Sequence, residues 1–328
     1  MPYSKEILSR ARARLAQARQ EQQDTYEAHL QEAYVRYPRL REIDRALQNT
    51  MAQVVAASFR SGEDPTEAIA AIKEQNLALQ QEREWILDAS DLDPDFLDDS
   101  PICAKCGGTG YIGSTMCDCL RELCRSEQKK ELSSLIGSGR ERFSAFRLVY
   151  YPDRIDPRWN VSPRALMTKN LNRCKNYASG FSTQSPSLLF SGNPGLGKTF
   201  LSGCIARSVA DRGFSVVYDT AIQLIADYEA DKFGDRTEES RQNLKKYTDC
   251  DILIVDDLGT EMVTQFSLSA LYTVINTRIL AGLPMIVSTN LDSAGIHSRY
   301  SPQIASRLLG TFELVRFLGD DIRLRGKL

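Results

Sequence analysis

The plainest chemistry in this chain lies in Gly192-Asn193-Pro194-Gly195-Leu196-Gly197-Lys198-Thr199. The stretch follows an apolar run at residues 187–191 and precedes helix-forming residues 200–211, so the spacing G-x-x-x-x-G-K-T sits between a predicted strand and a predicted helix. Glycines let such a loop curl until backbone N–H groups converge on phosphate oxygens, and the positive end of the following helix adds attraction. In that geometry Lys198 reaches the β and γ phosphates of ATP and Thr199 places its hydroxyl on Mg2+. The predicted nucleotide-binding set runs from Gly192 through Phe200.

A second strand should end in the carboxylate that holds the magnesium. Asp251-Ile-Leu-Ile-Val-Asp256-Asp257 supplies four apolar residues and then two acids, at the end of a strand where ligands bind in such sheets. Asp256 is the expected Mg2+ ligand. Asp257 is either the general base that polarises the attacking water or a turn residue ahead of Leu258-Gly259. A third run, Pro284-Met-Ile-Val-Ser-Thr289, brings Asn290 to the same edge, as a group for the γ phosphate or the water, or as a helix cap.

The cysteines form another constellation. Cys103-Ala-Lys-Cys106 and Cys117-Asp-Cys119 flank a stretch holding Gly107, Gly108, Gly110 and Gly113, and two close thiolate pairs around a hairpin suit the closed tetrahedral site of structural zinc. Unligated buried thiols and an iron–sulfur cluster are the alternatives, and Cys124 is a fifth candidate ligand. Cys174, Cys204 and Cys250 fall on apolar elements and are expected to pack.

These groups need elements to hold them. Residues 4–89 hold almost no Gly or Pro, and Leu40, Ile43, Leu47, Met51 and Val54 recur at three and four, which predicts one helical stripe starting near Pro38. A break at residues 60–65 separates it from a helix through Ile69, Ile72, Leu79 and Ile86, so the stripes form the core of a helical hairpin or small bundle. An acidic run at residues 88–99 marks a boundary; a polar helix at about 120–135 and a Gly/Ser break at 137–139 follow. Continuous apolar runs at 187–191, 215–219, 251–256 and 284–289 then predict buried parallel strands alternating with helices, an α/β fold. The expected division is a helical region at 1–99, a cysteine unit with its helix at 100–136, a linker at 137–160 and an ATPase domain at 161–328.

Composition sets few further limits. A chain of 328 residues, 42% hydrophobic and 26% charged, can bury a sizeable core. Its formal net charge of -2 supplies no global field for nucleic acid, so DNA binding would need a local basic patch. The charged N-terminus is unlike a secretory signal and no apolar run is long enough for a membrane span, so a cytoplasmic protein with no membrane partner is expected.

The stretches GNPGLGKTFL, DILIVDDLGTE, LYTVINTRILAGLPMIVSTNL and RYSPQIASRLLGTFELVRFLGDDIR, in that order, resemble AAA+ ATPases, and within them the DnaC/DnaI helicase loaders and the related IstB transposition ATPases. The resemblance implies an ATPase that works as a homo-oligomer. Asn290 matches its polar sensor, and Arg307 matches an arginine finger that enters the neighbouring subunit's site and stabilises charge in phosphoryl transfer. Arg323 and Arg325 stand as second sensors or as a basic strand edge, because the sequence ends at Leu328 without a helical lid. Arg278, late in its helix, is expected to complement the helix dipole. The resemblance places a DNA-touching insertion at residues 220–249, where Lys232, Arg236, Arg241, Lys245 and Lys246 are candidates for phosphate contacts with single-stranded DNA; seven acids in residues 227–249 argue for a mixed solvated face. It further implies that the helical region and the zinc unit dock on a replicative hexameric helicase. A transposition ATPase, or a nucleotide-dependent adaptor that hydrolyses little ATP, are the alternatives.

Overall fold

The computed structural model describes residues 3–58, 65–135, 141–234 and 238–325. Contacts divide it into two compact units, one of Met1–Ala13 with Met116–Leu328 and one of Arg14–Thr115. Helix α1 (Lys5–Arg36) runs from the first into the second.

In the unit of Arg14–Thr115, helices α2 (Pro38–Gln48), α3 (Thr50–Ser58) and α4 (Pro65–Asp88) pack together. Pro38 opens α2 at a position where its missing N–H costs nothing. Arg83 donates to Asp44 at 2.8 Å and Arg39 reaches both carboxylate oxygens of Glu82, so α2 and α4 are tied at two levels. The single stripe expected from Leu40 to Val54 is interrupted. Asn49 ends α2 as its C-cap, and a new helix begins at Thr50. Leu40 and Ile43 are therefore buried, whereas Met51 is 73% exposed. An Asn in this position favours the helix end because its short polar side chain competes for backbone groups.

The larger unit is built on a parallel five-stranded sheet. Its strands are β3 (Leu188–Ser191), β4 (Val216–Thr220), β5 (Ile252–Leu258), β6 (Met285–Thr289) and β7 (Glu313–Arg316), in the order β4-β5-β6-β3-β7; the two-residue strands β1 (Tyr111–Ile112) and β2 (Thr115–Met116) form a separate hairpin. Side-chain alternation splits the core in two. Leu188 and Phe190 face a layer that includes Met167, Ile205 and Val209, while Leu189, Leu253 and Val255 face one that includes Leu271 and Ile275. The first layer comes from α6 (Pro163–Ser179) and α7 (Lys198–Asp211). The second includes α8 (Ala221–Phe233), α10 (Gln265–Leu280) and α12 (Pro302–Thr311). Helices α5 (Asp118–Leu135), α9 (Glu238–Asp249), α11 (Ser293–Arg299) and α13 (Ile322–Arg325) complete the α/β P-loop arrangement.

Three details depart from the sequence reading. Residues 141–160, expected as a linker, send Phe143, Phe146, Leu148 and Tyr151 into the first core layer. Residues 322–325 form a short helix, and the edge strand is β7. Arg278 does more than meet a helix dipole: it is 0% exposed, and its guanidinium donates to the carbonyls of Tyr247, Cys250 and Pro284, locking α10 onto the chain entering β5 and β6.

Candidate functional site

Strand β3 leads straight into the phosphate-binding sequence, and α7 begins at Lys198 with Gly197 as its N-cap. Gly197 has φ +84 and Gly195 φ +76, a left-handed backbone that side chains resist. A Cβ at Gly195 would also fall 1.9 Å from an Asp321 carboxylate oxygen, so a side chain there would have to push the Asp321 carboxylate aside. The C-terminal segment lies against the loop there, with Ile322 N–H donating to Gly195 O at 3.0 Å.

Lys198 is 5% exposed. Its ammonium donates to the carbonyls of Gly192 at 2.6 Å and Asn193 at 2.8 Å, and to Asn290 Oδ1 at 2.6 Å. Two residues 92 positions apart thus meet because β3 and β6 are adjacent and parallel. Burial lowers the Lys198 pKa to about 8; Asp257 and Asp256 oppose the shift, and the Arg323 cation adds to it.

The two acids near the C-terminal end of β5 differ in setting. Asp256 is 3% exposed, with Tyr218 OH donating to one carboxylate oxygen at 2.9 Å and Ser288 Oγ donating to the other. Ser202 Oγ, on α7, lies 3.1 Å from the same tyrosine hydroxyl. Asp257 adopts φ +54, a region Asp tolerates better than most residues. Its N–H donates to Ser288 Oγ at 3.0 Å, and its carbonyl accepts from Thr260, closing a turn. Burial first, and the Asp256 charge second, raise the Asp257 pKa, against the pull of Lys198 and Arg323.

A cleft of 330 Å³ gathers Pro194, Gly195, Leu196, Gly197, Lys198, Thr199, Phe200, Asp257, Asn290 and Arg323, together with Glu141 and Ile322. Gly192 and Asn193 border it through their carbonyls on Lys198. Arg307 is not among these lining residues; it donates to Asn276 and Tyr272 on α10 and lies over the Tyr272 ring. In the insertion, Lys246 pairs with Asp227 at 2.8 Å and Asp219 at 3.4 Å, Lys245 and Lys232 are described, and Arg236 and the Arg241 side chain lie outside the described residues. Tyr218, Ser288 and Glu141 escaped the sequence reading. Only the serine carried a signal, in the polar pair Ser288-Thr289 closing an apolar strand.

The sulfurs of Cys103, Cys106, Cys117 and Cys119 all lie within 4.8 Å of one another, and Gly110 N–H donates to Cys106 Sγ at 3.3 Å. Tetrahedral zinc with bonds of about 2.3 Å sets its sulfurs about 3.8 Å apart, so the donor set fits this ion after a small contraction. Cys124 is not part of the group; burial pushes its thiol up to about 11. Cys174, Cys204 and Cys250 are buried in the core.

Residues 167–328 match the family profile described as IstB-like ATP binding protein. Just under half of the chain is thus similar to that family. The match takes in the phosphate loop, both acids, Asn290 and Arg307. Among curated proteins, the replicative helicase loader DnaC of Buchnera aphidicola subsp. Baizongia pistaciae is 24% identical over 150 residues, 45% of this chain and 61% of its own length. A putative ATP-binding protein in an insertion sequence of Mycobacterium tuberculosis is 27% identical over 124 residues, 38% of this chain and 48% of its own length. The chain thus spans about six tenths of the DnaC relative it matches. A crystal structure of the DnaC helicase loader overlaps 54% of this chain and 97% of its own, at 19% identity and a TM-score of 0.45. No helix among the described residues is long and apolar enough to cross a membrane.

Proposed function

We propose that this protein is a cytoplasmic AAA+ ATPase that loads a replicative hexameric helicase onto single-stranded DNA, with ATP binding and hydrolysis as the assembly switch. The observation that carries the reading is the convergence of Lys198, Asp257 and Asn290 on one cleft from the ends of three adjacent parallel strands, with Asp256 held beneath. The likeness to a replicative helicase loader directs that switch to replication.

On this reading Lys198 and the loop amides bind the β and γ phosphates. Thr199 and Asp256 hold Mg2+, which when bound neutralises phosphate charge as it develops. Tyr218 and Ser288 fix both oxygens of Asp256, leaving its remaining lone pairs for the ion or its waters. Asp257 accepts a proton from the attacking water, Asn290 orients that water or the γ phosphate, and Arg323 senses nucleotide from the C-terminal side. Arg307 enters a neighbouring subunit's site, so hydrolysis waits on assembly. Residues 1–99 and the zinc-bearing unit at 100–136 grip the helicase, and residues 161–328 form the ATPase together with the segment 141–160 that packs into its core. The test is reconstitution with the replicative helicase of the same organism. Co-elution in ATP and transfer of the helicase to protein-coated single-stranded DNA are expected, with transfer lost in Lys198→Ala; no complex under any nucleotide condition sinks the reading.

The IstB-like profile and the insertion-sequence relative favour a second reading, a transposition ATPase. ATP hydrolysis stimulated by a transposase and not by the helicase would establish it. Single-turnover hydrolysis with helicase and DNA separates both from an adaptor that binds ATP without turning it over.

A further inference from the structure

Beside the outer edge of β7 lies a surface that the ATPase reading does not use. Asp156 N–H donates to Val161 O, and the N–H groups of Trp159 and Asn160 return to Asp156 O, closing a tight turn. Asn160 completes it at φ +50. The turn presents Arg158 and Trp159. Arg158 Cζ stands 5.1 Å from the Trp159 ring centroid and Arg316 Cζ, at the end of β7, stands 4.8 Å from it. One indole therefore holds two exposed guanidinium groups at most about 10 Å apart.

The local acids are already engaged. Asp153 pairs with Arg164, Glu313 pairs with Arg173, and Asp156 accepts the Arg158 backbone N–H. Among the described residues no carboxylate forms an ion pair with Arg158, Arg316 or Lys169. Asn170 Nδ2 donates to Arg316 O at 2.6 Å, which fixes β7 to α6, and a separate open trough of 870 Å³ lies between α6 and Glu313, with Lys169 in its lining. Two guanidinium groups without carboxylate partners on one indole, with Lys169 nearby on α6, make a local anion site on a chain whose net charge of -2 supplies none overall. Two planar forks with fixed orientation suit phosphate oxygens better than the point charge of a lysine would.

We propose that the edge formed by α6, β7 and the turn at residues 156–161 binds the phosphodiester backbone of single-stranded DNA, with Arg158 and Arg316 each engaging a phosphate. Trp159 is the positioning residue that holds the pair apart and ready. This site rests on the reading that the protein acts on single-stranded DNA, but it lies outside the insertion at residues 220–249.

The test measures affinity of the full chain for a labelled oligo(dT) over a range of salt. Each phosphate contact on a single strand contributes about 0.7 to the slope of log affinity against log salt, so the double variant Arg158→Gln, Arg316→Gln should lose about 1.4 from that slope. Its affinity for ATP should stay unchanged, which also reports a folded domain. Trp159 and Trp85 are the chain's two tryptophans, so in a Trp85→Phe background oligonucleotide should alter the remaining emission. Oligonucleotide binding with an unchanged slope in the double variant overturns this site alone. No oligonucleotide binding by the wild-type chain overturns both the site and the loader reading. Loss of polyglutamate binding in the double variant, with oligonucleotide binding intact, assigns the surface to an acidic protein and refutes the proposal.

Discussion

Lys198 offers a quantitative handle on the nucleotide site. A solvated lysine titrates near 10.4, but burial holds this one at about 8. A polyphosphate beside the amine favours its charged form, so binding ATP raises the pKa and draws in a proton wherever the free protein has lost one. Between pH 7.5 and 9.5 the charged fraction in the free protein falls from about three quarters to about 3%, which weakens ATP binding about 25-fold, or about 1.9 kcal/mol. Calorimetric titration with Mg·ATP at several pH values, each in two buffers of different ionisation heat, measures both quantities. Affinity should fall steadily above pH 8, and proton uptake should approach one per nucleotide near pH 9. Without nucleotide the direction reverses. The unfolded chain binds more protons than the folded one between about pH 8 and 10, so this group adds stability as pH rises through that window. An affinity that varies less than about threefold across the range, with no proton uptake, would refute the placement of Lys198 in a desolvated phosphate site.

Other substitutions probe the supports. Tyr218→Phe removes a hydrogen bond of about 1.5 kcal/mol or more from the Asp256 carboxylate, so the Mg2+ concentration for half-maximal hydrolysis should rise roughly tenfold, with Mg-free ATP affinity unchanged. An unaltered Mg2+ dependence would count against that support. Arg278→Met strips the Tyr247 and Cys250 carbonyls of a buried donor and should cost roughly 2–5 kcal/mol in urea unfolding; a loss below about 1 kcal/mol would mean water replaces the guanidinium. Metal analysis should find about one zinc per chain, and Cys103→Ser should release it while ATP affinity persists. Failure to find zinc in protein purified without chelator would leave the four thiols as an unligated cluster.

The chemistry that could be read from the sequence was the chemistry carried by short spacing. The phosphate loop lies within eight residues, and the acids and Asn290 follow apolar runs buried on both faces, so each run pointed to the same sheet edge before any pairing was known. What remained hidden depends on contacts distant in sequence. Tyr218 looks like one more aromatic in a buried strand, and only the register of β4 on β5, with Thr220 opposite Asp256, brings its hydroxyl to the acid. Arg278 looks like a solvated helix residue until the carbonyls of Tyr247, Cys250 and Pro284 close around it. Residues 143–151 show no periodicity because they form two single-turn 3-10 helices, Phe143–Ala145 and Leu148–Tyr150, yet their aromatics fill the layer beneath the loop: Tyr151 OH donates to Leu196 O at 2.9 Å. Asp257 makes the same point in a different way. Turn residue and cleft residue were alternatives in the sequence, but one left-handed backbone step makes it both, since the turn that ends β5 is also what leaves the carboxylate lining the cleft that Lys198 and Asn290 share.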